Sequence, residues 1–340
     1  MRSVSIRDVA TAAGVAVGTV SRVLNDAPGV APSTRERVRV SISELGYRPN
    51  RHARALSSGK THVVGAVVPF FTHPSAVERL RGAVSVLEGS PYDLVLYNVG
   101  TTVQRLQHLA HRGAIGRADA LLVMSLVPTD AEVADLDAAG VRCVLVDCEH
   151  PALPRVVTDD VAGGRMATEH LLTLGHERVA FLGEPSDPAR RFVAARQREL
   201  GYREALAAAG LEVEDALVRH APHGQASARD AATALLAPHE RPSAIFASSD
   251  TQALGVLEAA ATLGLDVPGD VALIGFDDLE VAAHVGLSTV RQPLRESGAV
   301  GAQLLLDVLD APAKLDDVPE IRLELELVAR RTTIDDRSTT

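Results

Sequence analysis

Cysteine is nearly absent: Cys143 and Cys148 are the only two in 340 residues. Two thiols cannot make a disulfide framework or a four-ligand zinc site, so reduced thiols and no metal are expected. No run approaches the roughly 20 apolar residues of a membrane span, so no membrane association is expected. Residues 1–8 hold no apolar stretch; a secretory leader is therefore not expected, and the cytoplasm is the expected compartment. Enzyme signatures are missing too. No G-x-G-x-x-G opens a helix after the first strand pattern, and neither a Walker loop nor a G-x-S-x-G elbow occurs. The chain is expected not to be an enzyme, with no catalytic residue and no cofactor. Low-complexity tracts and repeats of 20–50 residues are also lacking.

What is present is ordinary for a globular protein in amount, 46% hydrophobic and 23% charged residues, and the length suits two or three domains. The charge distribution is not ordinary. Residues 1–60 hold ten Lys or Arg against four Asp or Glu, whereas the remainder is net −16. A basic head on an acidic body suits an anionic polymer at one end only.

The head reads as short helices. Residues 6–13 place Ile6, Val9 and Ala10 on one face, Gly14 interrupts, and residues 17–24 resume with Val20, Val23 and Leu24. Asn25 to Gly29 is a loop by composition, Pro32 suits the first turn of a third helix, and Gly46 ends it. Residues 6–25, IRDVATAAGVAVGTVSRVLN, have helix-turn-helix spacing. Ala10 is small where the helices would cross, Gly14 can take the positive φ of the turn, and Val15, Val20 and Val23 would lock the second helix onto the first. That helix then turns Val17, Gly18, Thr19, Ser21, Arg22 and Asn25 outward, a short polar face that suits a DNA major groove.

From His62 onward, short apolar runs alternate with helical patterns. Strands are expected at 63–68, 93–97, 120–124, 141–147, 179–182, 244–248 and 271–275, with helices between them such as 77–87, 130–139, 163–174, 196–209 and 252–263. Continuous rather than alternating apolar strands imply parallel sheets covered on both faces. The units are too many for one open sheet, so two doubly wound lobes are expected.

The segments VSIRDVATAAGVAVGTVSRVLN and TRERVRVSISELGYRPNRHARAL resemble the headpiece and hinge of the LacI/GalR family of bacterial transcription regulators. VTDDVAGGRMATEHLLTLGHERVAFLG, SAIFASSDTQALGVLEAA and VALIGFDDLEVAAHVGLSTVRQP resemble that family's effector-binding core. The resemblance runs from about Val4 to Arg331. It implies a small all-α helix-turn-helix headpiece (1–49), a hinge helix and linker (50–60), and a periplasmic-binding-protein-like α/β core (61–340). The core would comprise an N-lobe, about 61–158 and 289–320, and a C-lobe, about 159–288 and 321–332. A sequence-specific, dimeric DNA-binding regulator is implied, expected to repress, with operator affinity controlled by a small molecule between the lobes, a sugar or derivative. The alternative is a solute-binding protein of a sugar uptake system, which would need an export signal and no helix-turn-helix.

For DNA, the resemblance implies that Val17, Gly18 and Arg22 face bases, Arg22 forking onto guanine. Thr19, Ser21, Asn25 and Thr34 would bond phosphates. Asn50, Arg51, Ala53 and Arg54 would line the minor groove or phosphates as the hinge helix folds, and Leu56 would insert as a wedge at the centre of a palindromic operator with a central CpG step. Two residues depart from the family: Ala16 and Ala31 stand where a capping Ser is usual. Losing such a cap costs about 0.5–2 kcal/mol, so a marginal headpiece is expected.

For the effector, ligands in such sheets bind at strand carboxyl ends. Arg198, Asp277 and Asp147 are the leading candidates by family position, followed by Ser249 and Gln292. Phe70 and Phe71 would cover an apolar sugar face, His73 stands where an effector contact often lies, and His223 is a looser candidate. Asp250 is expected to cap helix 251–263, Asp278 to cap or bridge the lobes, Asp159 and Asp160 to serve the lobe crossover and the next helix's cap, and His176 to hold a turn.

Overall fold

The computed structural model describes residues 4–24, 26–47, 60–99, 117–185, 193–237, 240–310 and 317–334. The chain divides into two compact units, 1–62 and 63–340.

The first unit contains α1 (Ile6–Ala13), α2 (Val17–Leu24) and α3 (Pro32–Glu44). Ser5 opens α1 with a reciprocal capping box to Asp8, and Gly14 closes it at φ 65°. The left-handed turn demanded of Gly14 is therefore present. Val9, Ala10, Ala13, Val20, Val23 and Val38 form the unit's core. α3 begins at Ala31 without a side-chain cap. In its place Arg35 pairs with Asp26 at 2.5 Å and donates to the Ala27 carbonyl at 2.8 Å, which ties α3 to the preceding loop.

The second unit has two six-stranded sheets. In chain order the elements are β1 (Val63–Val68), α4 (Pro74–Leu87), β2 (Asp93–Asn98), β3 (Ala120–Met124), α5 (Asp130–Ala138), β4 (Arg142–Val146) and β5 (Arg155–Val157). There follow α6 (Asp160–Thr173), β6 (Val179–Gly183), α7 (Ala194–Ala208), β7 (Val218–His220), α8 (Gln225–Leu236), β8 (Ala244–Ala247), α9 (Asp250–Leu263), β9 (Ala272–Asp277), α10 (Glu280–Val285) and β10 (Ser288–Arg291). α11 (Leu294–Asp310), β11 (Glu320–Arg322) and β12 (Glu326–Val328) complete it. The N-lobe sheet has order β11-β5-β4-β3-β1-β2 and the C-lobe sheet β12-β10-β9-β8-β6-β7. Every pairing is parallel except β10 with β12. All five residues of β3 and all six of β9 are buried, as strands covered on both faces must be.

Among the described residues, the chain crosses between the lobes three times. The first crossing lies between Val157 and Asp160. The second follows Arg291 and the third follows Arg322, because β10 pairs with β9 in the C-lobe and β11 with β5 in the N-lobe. Both fall a few residues later than the expected limits at 288 and 320. The seven expected strands form with ends shifted by at most two residues. The five short strands β5, β7, β10, β11 and β12 lack any sequence expectation. With three or four residues each, and without the continuous apolar run that marks the equally short β8, they show no pattern of their own, and pairing to a neighbour creates them. Among the described residues, no helix is long and apolar enough to cross a membrane.

Candidate functional site

In the first unit, the outer face of α2 exposes Val17, Gly18 and Arg22, while Thr19 and Ser21 are half-buried and Val20 and Val23 turn inward. Thr34, in the first turn of α3, is half-buried. The face thus has one long cation among short side chains. Asn25 and the hinge candidates Asn50, Arg51, Ala53, Arg54 and Leu56 lie outside the described residues.

In the second unit, a cleft of about 740 Å³ opens between the lobes at the strand carboxyl ends. It brings together eight of the nine effector candidates: Phe70, His73, Asp147, Arg198, His223, Ser249, Asp277 and Gln292. Phe71 is not among them. Its side chain points outward at 41% exposure, because the backbone turns at Phe70, whose φ is 45°. The cleft also has Arg79, Ser125, Glu184, Glu199, His220 and Ser248 in its walls, none of which the sequence reading singled out. Ser125 and Glu184 follow strands β3 and β6 and were accessible to the same strand-end argument that selects Asp147. Arg79 was not: an arginine in the second turn of a helix reads equally well as surface.

The strand ends carry strain. Phe70, Ser125, Asp147 and Asp277 have φ of 45°, 51°, 60° and 117°, a region that side-chain-bearing residues rarely occupy and that clusters at binding sites. The distortion is held by hydrogen bonds. Ser125 Oγ donates to Asp147 Oδ2 at 2.6 Å, and Gln292 Nε2 donates to Asp277 Oδ1 at 2.6 Å.

Charge in the cleft is paired. Arg79 Nη2 lies 2.9 Å from Asp147 Oδ1 and donates to Gln292 Oε1 at 3.1 Å. Arg198 donates from Nε to Asp160 Oδ1 at 2.8 Å and from Nη1 to the Ser248 carbonyl at 2.6 Å, and its guanidinium lies 3.7 Å from the Phe276 ring centre. Burial pushes the Asp160 carboxyl up to about 6 against the pull of Arg198. Burial likewise raises Asp277, with Arg198 and Arg79 opposing. Towards the mouth, His223 Nδ1 lies 2.7 Å from Glu184 Oε1, and His220 Nε2 lies 2.8 Å from Glu199 Oε2.

Several expected structural roles are reassigned. Ser249, not Asp250, caps α9, its Oγ accepting from the Gln252 N–H at 3.2 Å. Asp250 is the first residue of the helix, fully buried, and accepts from Leu279 N–H and Thr289 Oγ. Asp278 neither caps nor bridges the lobes; it pairs with Arg291 and Arg330, each at 2.7 Å, within the C-lobe. Asp159 does cap α6, accepting from Ala162 N–H at 2.9 Å, and His176 holds its turn against Ser243 Oγ at 3.1 Å. Among the described residues, no group of three or more His, Cys, Asp or Glu could hold a metal ion.

Residues 5–50 match the family described as bacterial regulatory proteins, lacI family, and residues 168–333 match the periplasmic binding protein-like domain. Catabolite control protein A of Priestia megaterium is 35% identical over 311 residues, 89% of this chain and 92% of that protein. The chain belongs to the LacI family. Another member, the HTH-type transcriptional regulator CelR of Thermobifida fusca, is 35% identical over 336 residues, 96% of each chain. The lac repressor dimer bound to operator and the anti-inducer ONPF superposes with a TM-score of 0.83 at 26% identity, covering 98% of this chain and 100% of that one. The CelR–cellobiose complex gives 0.70 at 33% identity, covering 97% and 99%. Like these LacI-family relatives, the protein is a DNA-binding transcriptional regulator with an effector-binding core. A solute-binding protein of an uptake system is thereby set aside, and the relatives are regulators rather than enzymes.

Proposed function

We propose that the protein is a cytoplasmic homodimeric repressor whose operator affinity changes when a sugar or sugar derivative occupies the interlobe cleft. The observation that carries this reading is the bond path Arg79–Gln292–Asp277, which runs from the N-lobe through the second crossing to the C-lobe inside the cleft. An effector touching it acts on both lobes at once. A ligand that prefers one lobe arrangement must change DNA affinity reciprocally. The effector contacts are Phe70, His73, Asp147, Arg198, His223, Ser249, Asp277 and Gln292. A relative's complex with cellobiose supports a sugar.

On DNA, Val17, Gly18 and Arg22 read bases, and Thr19, Ser21, Asn25 and Thr34 hold phosphates. Asn50, Arg51, Ala53 and Arg54 enter the minor groove with Leu56 as the wedge, at a palindrome with a central CpG. Gly18 has no side chain to read with, so the base opposite it is weakly specified. Arg22→Ala lowers specific affinity by about 1–3 kcal/mol and relaxes one position of each half-site.

Dimerisation uses a second, broader groove of about 1180 Å³, lined by Val77 and Arg81 of α4, Leu254 of α9, Val281 of α10 and Glu296 of α11. Apolar side chains flanked by both signs of charge suit a self-complementary two-fold contact with a second copy. Asp277 and Gln292 line the groove as well as the cleft. Effector contacts are therefore one side chain away from the partner.

The test is selection of genomic fragments by the purified full-length protein, followed by sequencing. A palindrome with a central CpG, near transport or sugar-metabolism genes, is expected. Absence of any enriched fragment across a range of salt, with and without cell metabolites, overturns the reading.

A further inference from the structure

The two lobes repeat one arrangement, and the repeat sets an arginine and an aspartate at matching points of each. The sheets share one strand order, so β1 corresponds to β6 and β4 to β9. α4 follows β1 and carries Arg79; α7 follows β6 and carries Arg198. Asp147 lies one residue past β4, Asp277 ends β9, and both have positive φ. The arginines are anchored alike. A Cβ placed on Gly298 of α11 would lie 1.8 Å from the Arg79 carbonyl oxygen, and one on Gly164 of α6 would lie 2.1 Å from that of Arg198. Helix thus meets helix, backbone to backbone, at each arginine. Both guanidinium groups start from a rigid base, and the side chains are only 5% and 7% exposed.

We infer that Arg79 is the N-lobe counterpart of Arg198 in the effector site, and that the effector is an uncharged polyol held through hydroxyl pairs by both lobes, to the exclusion of phosphate esters and carboxylates. This rests on reading the cleft as the effector site. Two independent observations support it.

The first is hydrogen-bonding capacity. Among the described residues, Arg79 Nε is buried with no partner, and so is His223 Nε2 on the facing lobe. The arginine N–H marks a place for an acceptor, and His223 Nε2, whose ring turns its Nδ1–H to Glu184, a place for a donor; a hydroxyl can serve as either. Each carboxylate oxygen of Asp147 and Asp277 has room for two hydrogen bonds. Guanidinium beside carboxylate suits a vicinal diol, in which one hydroxyl accepts from the cation while its neighbour donates to the anion.

The second is charge. Asp147, Asp277, Glu184 and Glu199 line the cleft, and Asp160 stands behind Arg198. Among the described residues, these five carboxylates face two buried guanidinium groups, both already paired, the exposed Arg196 at the rim, and His223 and His220, which lie 2.7 and 2.8 Å from Glu184 and Glu199. His73 adds no charge at neutral pH, since burial holds it down at about 4. An incoming phosphate would have to displace carboxylates from their arginines in a poorly screened site, leaving those carboxylates buried and unpaired. A hydroxyl displaces nothing.

The experiment is calorimetric titration of the full-length protein with uncharged hexoses, pentoses, myo-inositol and cellobiose, in parallel with glucose 6-phosphate, gluconate and inorganic phosphate. At least one uncharged polyol should bind, and its phosphorylated or oxidised counterpart should bind at least about tenfold more weakly. Arg79→Leu and Arg198→Leu should each weaken the polyol by about tenfold or more, while circular dichroism and a cooperative thermal transition, measured in parallel, report that the chain is folded. Tighter binding of the anionic member of a pair overturns the inference, as does polyol affinity unaffected by Arg79→Leu, or silence from every uncharged polyol. The anion comparison is made on the unsubstituted protein and survives a failure of either variant to fold. Failure of the function reading looks different: a polyol binds with the expected selectivity but leaves operator affinity unchanged.

Discussion

His73 of the N-lobe and His223 of the C-lobe stack face to face in the cleft, ring centres 3.9 Å apart and planes 19° from parallel. Phe70 covers the other face of His73 at 4.9 Å. Burial first, and the charge of His223 second, pull His73 from 6.5 down to about 4, with Glu184 opposing. A folded-state pKa below the unfolded value means that the contribution of the stack is complete above pH 6.5 and is lost as pH falls towards 4. The core should lose thermal stability across that window. His73→Phe, which keeps the ring and removes the titrating nitrogen, should lose less. Equal slopes in the two proteins would show that the stack does not titrate.

Asp250 gives the opposite slope. Its buried carboxyl accepts from Leu279 N–H at 2.8 Å and Thr289 Oγ at 2.7 Å. Burial, then the charge of Asp277, pushes it from 3.8 up to about 8. A raised carboxyl is fully favourable below pH 3.8 and loses that contribution as pH rises through about 8. Urea denaturation at pH 5 and pH 8 should show wild-type stability declining, and Asp250→Asn should flatten the decline. Asp250→Ala should cost about 2–4 kcal/mol by leaving two buried donors without an acceptor.

Gly82 lies where α4 touches α11: a Cβ there would sit 1.8 Å from the Arg295 carbonyl oxygen. Neither backbone can yield without separating the helices, so Gly82→Ala should cost about 3 kcal/mol in chemical denaturation. Gly89, whose added Cβ would meet nothing closer than 3.7 Å, is the control, and Gly89→Ala should change stability by less than about 0.5 kcal/mol.

Ala31 precedes α3 with φ −58° and ψ 142° and offers no side-chain acceptor to the first turn. Ala31→Ser should stabilise the helix by about 1 kcal/mol. Hydrogen exchange of the α3 amides in the full-length chain should slow accordingly. Unchanged exchange would mean that the Arg35 tie to Asp26 and Ala27 already holds this helix end.

The sequence by itself determined the headpiece helices, seven of the twelve described strands and eight residues of the cleft wall. The reason is local: α1 to α3 have apolar positions at helical spacing with Gly14 at the break, and β3 or β9 is one continuous apolar run. The strand-end rule then found Asp147 and Asp277 without any contact being known. Tertiary structure alone decided the rest. β5, β7, β10, β11 and β12 exist because a neighbouring edge satisfies their backbone, which no three-residue pattern can announce. Phe70 and Phe71 are adjacent and chemically alike, and only the turn at Phe70 separates a cleft residue from an exposed one. Arg79 is a surface residue by local pattern. It becomes a buried partner of Asp147 and Gln292 because α4 lies against the crossing that carries Gln292, 213 residues away in the chain.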